Sequence, residues 1–463
     1  TILGNWSADL STTYGSNRME FVISKTLNAS IATRNNGISP TQFDAGGFEF
    51  GQSTTNLDFS RFYRDRLHGV SVAAGLEYRR ESYAIFAGER GSWDDFDGPG
   101  GGNAGSQGFP GFQPVDEVDA HRASSAAYVD LEFKTTPKLL VTAALRGERY
   151  DDFGNTIDGK TSLAYAARPN LRLRGSISTG FRAPSLHQRY FSSTFTDFIA
   201  GEAADVKLAR NDSRLAELVG IPPLKEEESL NYSLGLTWHP AAATALTADV
   251  YQIDIDDRIV LTGGFTADDA DIGDVIASQN LLEARFFTNA IDTQTRGLDL
   301  TLSHERGPLT LQAALNLNET EVLRVNPAAG LAGKEEIYFN QRERLFVEGS
   351  APKTKGTFGG DYRTSRWNAG ARVTYFGELD AGTWTQLDDP ASPSQHYDPR
   401  FSTDVHVGFE LPRNLGLTIG GTNVFDAMPT AQDPNETENG AEWENVQMGI
   451  NGAAWYLRLH WRR

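Results

Sequence analysis

The sequence predicts an all-β fold: an antiparallel β-barrel that crosses a membrane. Three observations predict it. Apolar and polar residues alternate with period two along most of the chain. No stretch approaches the roughly 18 consecutive apolar residues that a spanning helix needs. The connections between alternating segments are short and long by turns, as in barrels with short turns at one rim and long loops at the other.

The alternation is plain at the C-terminus. Trp455, Leu457, Leu459 and Trp461 interleave with Tyr456, Arg458, His460 and Arg462. Val405, Val407, Phe409 and Leu411 interleave with Asp404, His406 and Glu410. The same pattern sets Trp367, Ala369, Ala371, Val373 and Tyr375 against Asn368, Arg372 and Thr374. It recurs at Leu230, Tyr232, Leu234, Leu236 and Trp238, and at Ala127, Val129, Leu131 and Phe133. A strand turns successive side chains to opposite faces, so each segment has one apolar and one polar face.

Taken in order, about 17 strands are expected, at 4–12, 17–24, 53–64, 69–84, 121–134, 138–149, 158–167, 170–180, 229–239, 244–258, 292–305, 309–323, 354–364, 366–377, 400–411, 414–424 and 452–462. Short turns are expected at Thr13–Ser16, Asp65–His68, Thr135–Pro137, Arg168–Pro169, Pro240–Ala243, Arg306–Pro308, near Ser365, and at Pro412–Arg413. Most carry Gly, Pro or Asn, as tight hairpins require. Between them lie long connections at 25–52, 85–120, 181–228, 259–291, 324–353, 378–399 and 425–451, with one short exception at Tyr150–Ile157. A soluble sandwich or propeller has no reason to sort loop length this way. The last strand enters from a long loop, so the chain ends on the short-turn, periplasmic side.

One strand changes parity. Leu246, Ala248 and Val250 are even-numbered, whereas Ile253, Ile255 and Ile259 are odd. Either a β-bulge sits near Tyr251–Gln252, or the strand has left the bilayer by Ile253 and packs against outer loops.

Composition narrows the function. The 463 residues include 46 glycines and are 39% hydrophobic and 11% aromatic. A mean hydropathy of -0.41 is compatible with a barrel, because only alternate residues of its strands meet lipid. The chain has no cysteine, which excludes disulfides, thiolate metal sites and cysteine nucleophiles. A net charge of -19 argues against nucleic acid as a partner. The acidic, glycine-rich runs Trp93–Pro114, Thr266–Asp274 and Asp433–Asn445 read as solvated loops, and the second lacks the spacing of a calcium hand. There is no nucleotide loop, zinc spacing or nucleophile elbow. No catalytic residue, metal ligand or cofactor is therefore expected.

Five segments carry a family resemblance. Gly180-Phe181-Arg182-Ala183-Pro184-Ser185-Leu186 resembles the GFRAPSL signature of TonB-dependent receptors, the plugged active transporters of the bacterial outer membrane. Glu228–Gly235 is similar to that family's "ES-x-NYSLG" strand, Tyr251–Val260 to its "Y-x-IDIDDRIV" strand, and Thr295-Arg296-Gly297-Leu298-Asp299 to its "TRG-x-D" strand. Asn423-Val424-Phe425-Asp426, followed by Pro429, resembles the "NLFD…P" element before the last outer loop. The motif residues read as architecture rather than substrate contacts. The expected polar wall residues are Glu77, Arg79, Asp130, Glu132, Arg146, Glu148, Arg172, Arg174, Asp249, Asp299, Asn316, Arg372, Asp404, His406 and Arg458.

The resemblance implies an outer-membrane receptor and transporter. Such a protein binds a scarce solute on outer loops and plug, and a periplasmic energy-coupling protein of the TonB type, engaging a TonB box, drives uptake. Outer-membrane lipid is a further partner. The family's barrel has about 22 strands. Residues 1–463 thus read as the C-terminal part of such a barrel, with about five strands and the plug outside the sequence, on the same longer chain or on a separate one. No signal peptide is visible, and Arg462 and Arg463 follow Trp461 where the family closes on an aromatic residue. Alternatives are a passive porin, a surface interaction protein anchored by its barrel, and a soluble β-rich enzyme. Siderophore, cobalamin, oligosaccharide and peptide substrates stay open; the acidic loops point mildly to a cationic or metal-bearing one.

Overall fold

A computed structural model of the chain describes residues 5–98, 102–199, 202–270, 272–278, 281–328, 331–389, 391–437, 440–444 and 446–461. Gly4, Asp271, Asn445, Arg462 and Arg463, on which some of the expectations above fall, lie outside the described residues, as do residues 99–101 of the first acidic run.

Sixteen strands form one meandering antiparallel sheet. They are β1 (Ser7–Ser24), β2 (Gln42–Tyr63), β3 (Val70–Phe86), β4 (Val118–Thr136), β5 (Leu139–Tyr150), β6 (Asn155–Arg168), β7 (Leu171–Arg182), β8 (Glu227–Ala241), β9 (Thr244–Leu261), β10 (Phe287–Arg306), β11 (Leu309–Val325), β12 (Thr354–Arg363), β13 (Trp367–Phe376), β14 (Arg400–Leu411), β15 (Leu415–Thr422) and β16 (Ala454–Trp461). Each pairs with its neighbours in sequence. Among the described residues β1 pairs only with β2, and β16 only with β15.

The expected count of 17 is corrected to 16. Segments 4–12 and 17–24 are one strand. Tyr14 lies opposite Ser53 and Gly15 opposite Gln52, so the chain runs straight through the expected Thr13–Ser16 turn. The cause is β2, which starts at Gln42 rather than 53 and gives β1 a partner along its length. The Ala45-Gly46-Gly47 run made that stretch look like loop. In fact Gly47 lies against β1 so closely that a Cβ there would sit 2.0 Å from the Met19 carbonyl oxygen. The seven other expected short turns are present. At the last of them, Arg413 and Asn414 both have positive φ, as tight hairpin turns often require.

The bulge expected near Tyr251–Gln252 is also corrected. The β8–β9 and β9–β10 registers run unbroken through that point. The slip comes later, between Ile255 and Ile259, where Asp257 adopts φ 55°. The parity change has the other cause. Gln252 and Asp254 stay on the face of Val250 but bond to Arg296 and Gln294 of β10, a polar surface above the apolar one.

The registers carry one apolar face across all sixteen strands. Leu10 faces Leu57, Leu57 faces Leu76, Val129 faces Leu145, Leu236 faces Leu173, and Leu298 faces both Val250 and Leu317. Ile419 faces Leu457 at the far edge. These side chains are exposed: Leu234 is 66% accessible and Leu457 69%. Aromatics edge the belt. Trp238, Tyr362, Trp367, Phe409 and Trp461 mark the short-turn side, and Tyr375, Phe401 and Trp455 the other. Trp367 and Tyr375 are eight residues apart, roughly 26 Å along a strand and about 20 Å once tilted, close to an outer-membrane apolar band.

Buried apolar side chains gather instead at the long-connection end. One cluster joins Phe265, Ile276, Phe286, Ile291, Leu331 and Tyr338. A second joins Tyr83, Ile85, Phe112 and Leu186. The long connections are therefore not bare loops. Ser193–Ile199, Glu202–Leu208, Phe265–Thr266 and Glu283–Arg285 form a four-stranded sheet of their own, with Glu283–Arg285 parallel to Val206–Leu208. Leu379–Ala381 and Gln395–Tyr397 form a small hairpin.

Candidate solute path: polar wall and outer vestibule

The second face of the sheet is polar, and every expected wall residue lies on it. Asp130 faces Ala73, Glu132 faces Ser71, and Arg146 faces Tyr128. Arg172 faces Thr237 and Arg174 faces Gly235. Asp249 lies between Gly235 and Asp299, and Asp299 faces Asn316. Arg372 lies between Gly359 and Asp404, His406 faces Gly370 and Gly420, and Arg458 faces Thr418.

Register decides which of these meet. Glu77 accepts from Arg79 (2.8 Å) and pairs with Arg146 (3.2 Å), which also pairs with Glu148. Arg174 grips Asp249 through both of its carboxylate oxygens and donates to Thr237 Oγ1 (2.7 Å). Asn316 donates to Asp299 (2.7 Å) and Asp404 accepts the Asn423 amide (2.9 Å). His406 lies 3.5 Å from Asp361, and Arg458 stacks over Tyr456. Asp130, Glu132, Arg172 and Arg372 have no ion pair among the described residues. A hollow of about 520 Å³ bounded by β10 to β16 includes Gln312, Asp361, Arg372, Asp404, His406 and Tyr456, so the sheet curls towards its polar face.

Several of the motif residues make close contacts within this wall. Gly297 opposes Tyr251, whose ring covers it; a Cβ there would sit 2.1 Å from Tyr251 Cζ. Thr295 bonds Thr320 across to β11 (2.8 Å). Asn423 turns the chain with φ 48° and exchanges two hydrogen bonds with Ala427, while Asp426 accepts the Ala453 amide (2.8 Å). Phe425 projects outward at 78% accessibility.

Gly180, Phe181 and Arg182 end β7, and Arg182 forks onto buried Glu227, which also takes the Ile259 amide (2.7 Å). Beyond Ala183 and Pro184, Ser185 caps a helix, Leu186–Tyr190, by reciprocal bonds with Gln188. The sequence reading missed this helix, although Ser-x-x-Gln before an apolar position is a capping-box signal. It also missed what holds the segment. Buried Arg122 donates to the Pro184 carbonyl (2.6 Å) and twice to Glu81 (2.9 and 2.6 Å). Arg189 pairs with Asp152 (2.9 Å), and burial pushes the Asp152 carboxyl up. His187 enters a nest of Phe48, Phe50 and Tyr83, its ring 4.3 Å from that of Tyr83, and burial lowers its pKa.

Next to this helix the outer connections enclose a pocket of about 570 Å³ whose lining includes Ser192, Thr194, Lys207, Arg210, Asp212 and Arg214. Three cations against one carboxylate is unusual in a chain of charge -19. Each cation has an acidic neighbour: Lys207 with Asp116, Arg210 with Asp212, and Arg214 with Glu217. Arg189 and Arg210 both lie over the Tyr190 ring (5.3 and 5.6 Å). An aromatic edge flanked by guanidinium groups suits an anionic ligand with π surface. No sequence spacing announces this pocket: most of its lining comes from the single connection between β7 and β8, closed by Gln113, Val115 and Leu281 from two others.

A family model described as "TonB dependent receptor-like, beta-barrel" matches residues 2–424. The iron-regulated outer membrane virulence protein of Vibrio cholerae serotype O1 is 22% identical over 316 residues, covering 68% of this chain and 42% of that protein. Among solved structures, the siderophore receptor PirA from Acinetobacter baumannii shares 14% identity at a TM-score of 0.64, over 98% of this chain and 59% of that one. A mutant ferric enterobactin receptor, PfeA, from Pseudomonas aeruginosa in complex with enterobactin shares 16% at 0.64, over 98% and 60%. The ferric-catecholate import receptor Fiu from E. coli K12 shares 12% at 0.61, over 99% and 62%. The chain thus spans less than two thirds of the length of each of these relatives.

Proposed function

The chain belongs to the TonB-dependent receptor-like β-barrel family of the bacterial outer membrane, and from that premise we propose that it forms the wall and outer vestibule of a receptor that imports a ferric siderophore. Members of this family are transporters and not enzymes, and the chain is read accordingly. The apolar face is the lipid face, the polar face is the lumen, and the long connections lie outside the cell.

The observation that carries the solute class is the cationic pocket beside Tyr190. Lys207, Arg210 and Arg214, each beside a carboxylate, favour the metal-bearing member of the expected pair, a cationic or a metal-bearing solute, in the form of an anionic chelate that exchanges for those carboxylates. Iron regulation and siderophore binding in the named relatives support the same class. A periplasmic TonB-type protein supplies the energy, acting on a plug. We further infer that the plug and the strands that complete the barrel are contributed by sequence outside these 463 residues, preferably on the same polypeptide. The exposed edges of β1 and β16 support this, since each unsatisfied backbone group in lipid costs several kcal/mol. A passive porin would leave the vestibule without a purpose.

The test is uptake of radiolabelled ferric siderophores by iron-starved cells. Catecholate and hydroxamate chelates are compared in strains with and without the gene, and with and without the energy coupler. Coupler-dependent uptake of at least one chelate is expected, and the triple variant Lys207→Ala, Arg210→Ala, Arg214→Ala is expected to lose binding at the cell surface. Solute entry that ignores the coupler would sink the proposal.

A further inference from the structure

The chain is acidic as a whole, with 61 Asp and Glu against 42 Lys and Arg, yet its short-turn rim is basic. Arg64 and Arg66 stand in the β2–β3 turn and Lys138 in the β4–β5 turn. Arg168 closes β6 and Arg306 closes β10, each one residue before its turn. Arg363 and Arg366 bracket the β12–β13 turn, and Arg413 sits in the β14–β15 turn. Taking each of the seven turns with the strand residue on either side, the one acid is Asp65. Over the next two residues inward the signs balance, with Arg61, Lys134 and Arg172 against Glu305, Asp361 and Glu410. The bias therefore belongs to the rim itself.

The turns do not need these cations. Tight turns favour Gly, Asn, Asp, Ser and Pro. Arg413 adopts φ 63°, a left-handed conformation that Gly, Asn or Asp takes at less cost. All eight rim cations are exposed, and none has an ion pair among the described residues. Their placement is not that of a collar for membrane headgroups, which would keep to the apolar face. Arg306 lies on that face, opposite Leu309, but Arg363 lies on the polar face, opposite Asn368. Lys138, Arg366 and Arg413 stand in the turns themselves. A folded protein partner would need an apolar centre to its interface. Among the described turn residues, Leu67 is the one large apolar side chain in the turns.

We propose that this rim binds the carboxylates of the periplasmic cell wall, a glycan that carries one short acidic peptide on each disaccharide. The inference rests on the orientation given above, which puts the short turns in the periplasm. Successive turns are two strand spacings apart, about 10 Å across the strands. That is about the length of a disaccharide, so each cationic turn meets a peptide of its own. Guanidinium and carboxylate groups form charge-assisted hydrogen bonds. One such contact in water is weak, but six of the seven turns carry a cation and act together. The contact ties the receptor to the wall from below and leaves the lumen open.

The full receptor, in mild detergent, is sedimented with purified cell-wall sacculi. It is expected in the pellet at about 0.1 M salt and in the supernatant at about 1 M, where charges are screened. Sacculi whose carboxylates have been amidated should retain roughly tenfold less, and so should wild-type sacculi offered the variant Arg363→Gln, Arg366→Gln, Arg413→Gln. Removing three exposed cations at the other end, by Arg34→Gln, Arg80→Gln and Arg149→Gln, should leave pelleting unchanged. Excess phosphatidylglycerol vesicles or wall-free periplasmic extract should not displace the receptor. Should the rim variant fail to fold, the amidated sacculi and the salt arm still decide. Equal pelleting with amidated sacculi, equal loss in both triple variants, or displacement by the vesicles or the extract would overturn the proposal. Orientation is read separately. Ser365→Cys, in a chain without cysteine, should react with a membrane-impermeant maleimide only after the outer membrane is opened. Labelling of intact cells would overturn the orientation and this proposal with it, whereas periplasmic labelling without retention on sacculi overturns this proposal alone.

Discussion

Arg122 concentrates what a single residue does here. Its guanidinium is 5% accessible, and it ties β3 through Glu81 to the Pro184 carbonyl that starts the helix after β7. Arg122→Ala strands the Glu81 carboxylate and orphans the carbonyl. Breaking a buried pair from one side costs about 3–5 kcal/mol. The variant should unfold at lower denaturant, read by the loss of heat-modifiable gel migration, while Arg122→Gln recovers part of the loss through its bond to Pro184. Nothing in the sequence marks Arg122. Alternation assigns a residue to a face, which is why Asp130, Arg146, Arg174 and Asp404 are expected to share one. It does not give the offset between strands, and the offset decides that Arg174 reaches Asp249 while Arg172 reaches no acid among the described residues.

At the scale of elements, period two found the strands, and glycine hid their ends. Gly15 and Gly46-Gly47 read as punctuation because turns use glycine, yet here Gly46 and Gly47 serve close backbone approach and Gly15 is an ordinary, uncrowded position within one long ladder. The difference is testable, since the chain has no cysteine to confuse the result. Tyr14 and Ser53 are directly opposed in β1 and β2. Tyr14→Cys with Ser53→Cys should therefore oxidise to a disulfide in the folded protein, giving a shifted band on a non-reducing gel. A hairpin at Thr13–Ser16 would put Tyr14 in a turn and leave the pair reduced. The helix Leu186–Tyr190 carries a different expectation. His187 is held neutral by burial, so its folded pKa lies below the ordinary 6.5. Its contribution is fully present above pH 6.5 and is lost as pH falls through the lower folded value. Amide exchange over 185–191, corrected for intrinsic rate, should accelerate on acidification, and His187→Phe should abolish that dependence.

For the whole molecule, the sheet has reversed the usual order of inside and outside, with its exposed belt apolar and its curled face charged. Period two and loop parity made that inversion legible from sequence, because both follow from the bilayer itself. The vestibule was not legible, because its core is built from residues such as Phe265, Leu331 and Tyr338 that lie on separate connections. The inversion makes a quantitative prediction at one depth. Leu234 and Ser233 are neighbours on β8, four to five residues from Trp238 at the belt's edge, and so lie near mid-belt on opposite faces. Leu234→Arg places a cation in hydrocarbon and should cost about 2–4 kcal/mol of folding free energy in a bilayer. Ser233→Arg places the same cation on the polar face and should cost under about 1 kcal/mol, through loss of its bond to Ser176 (2.8 Å). Urea unfolding in lipid vesicles reads both. In a water-soluble sheet the two costs would converge, because Leu234 is already 66% accessible and an arginine there would simply be solvated. A gap of 2 kcal/mol or so between adjacent residues therefore measures the membrane itself, independently of any ligand.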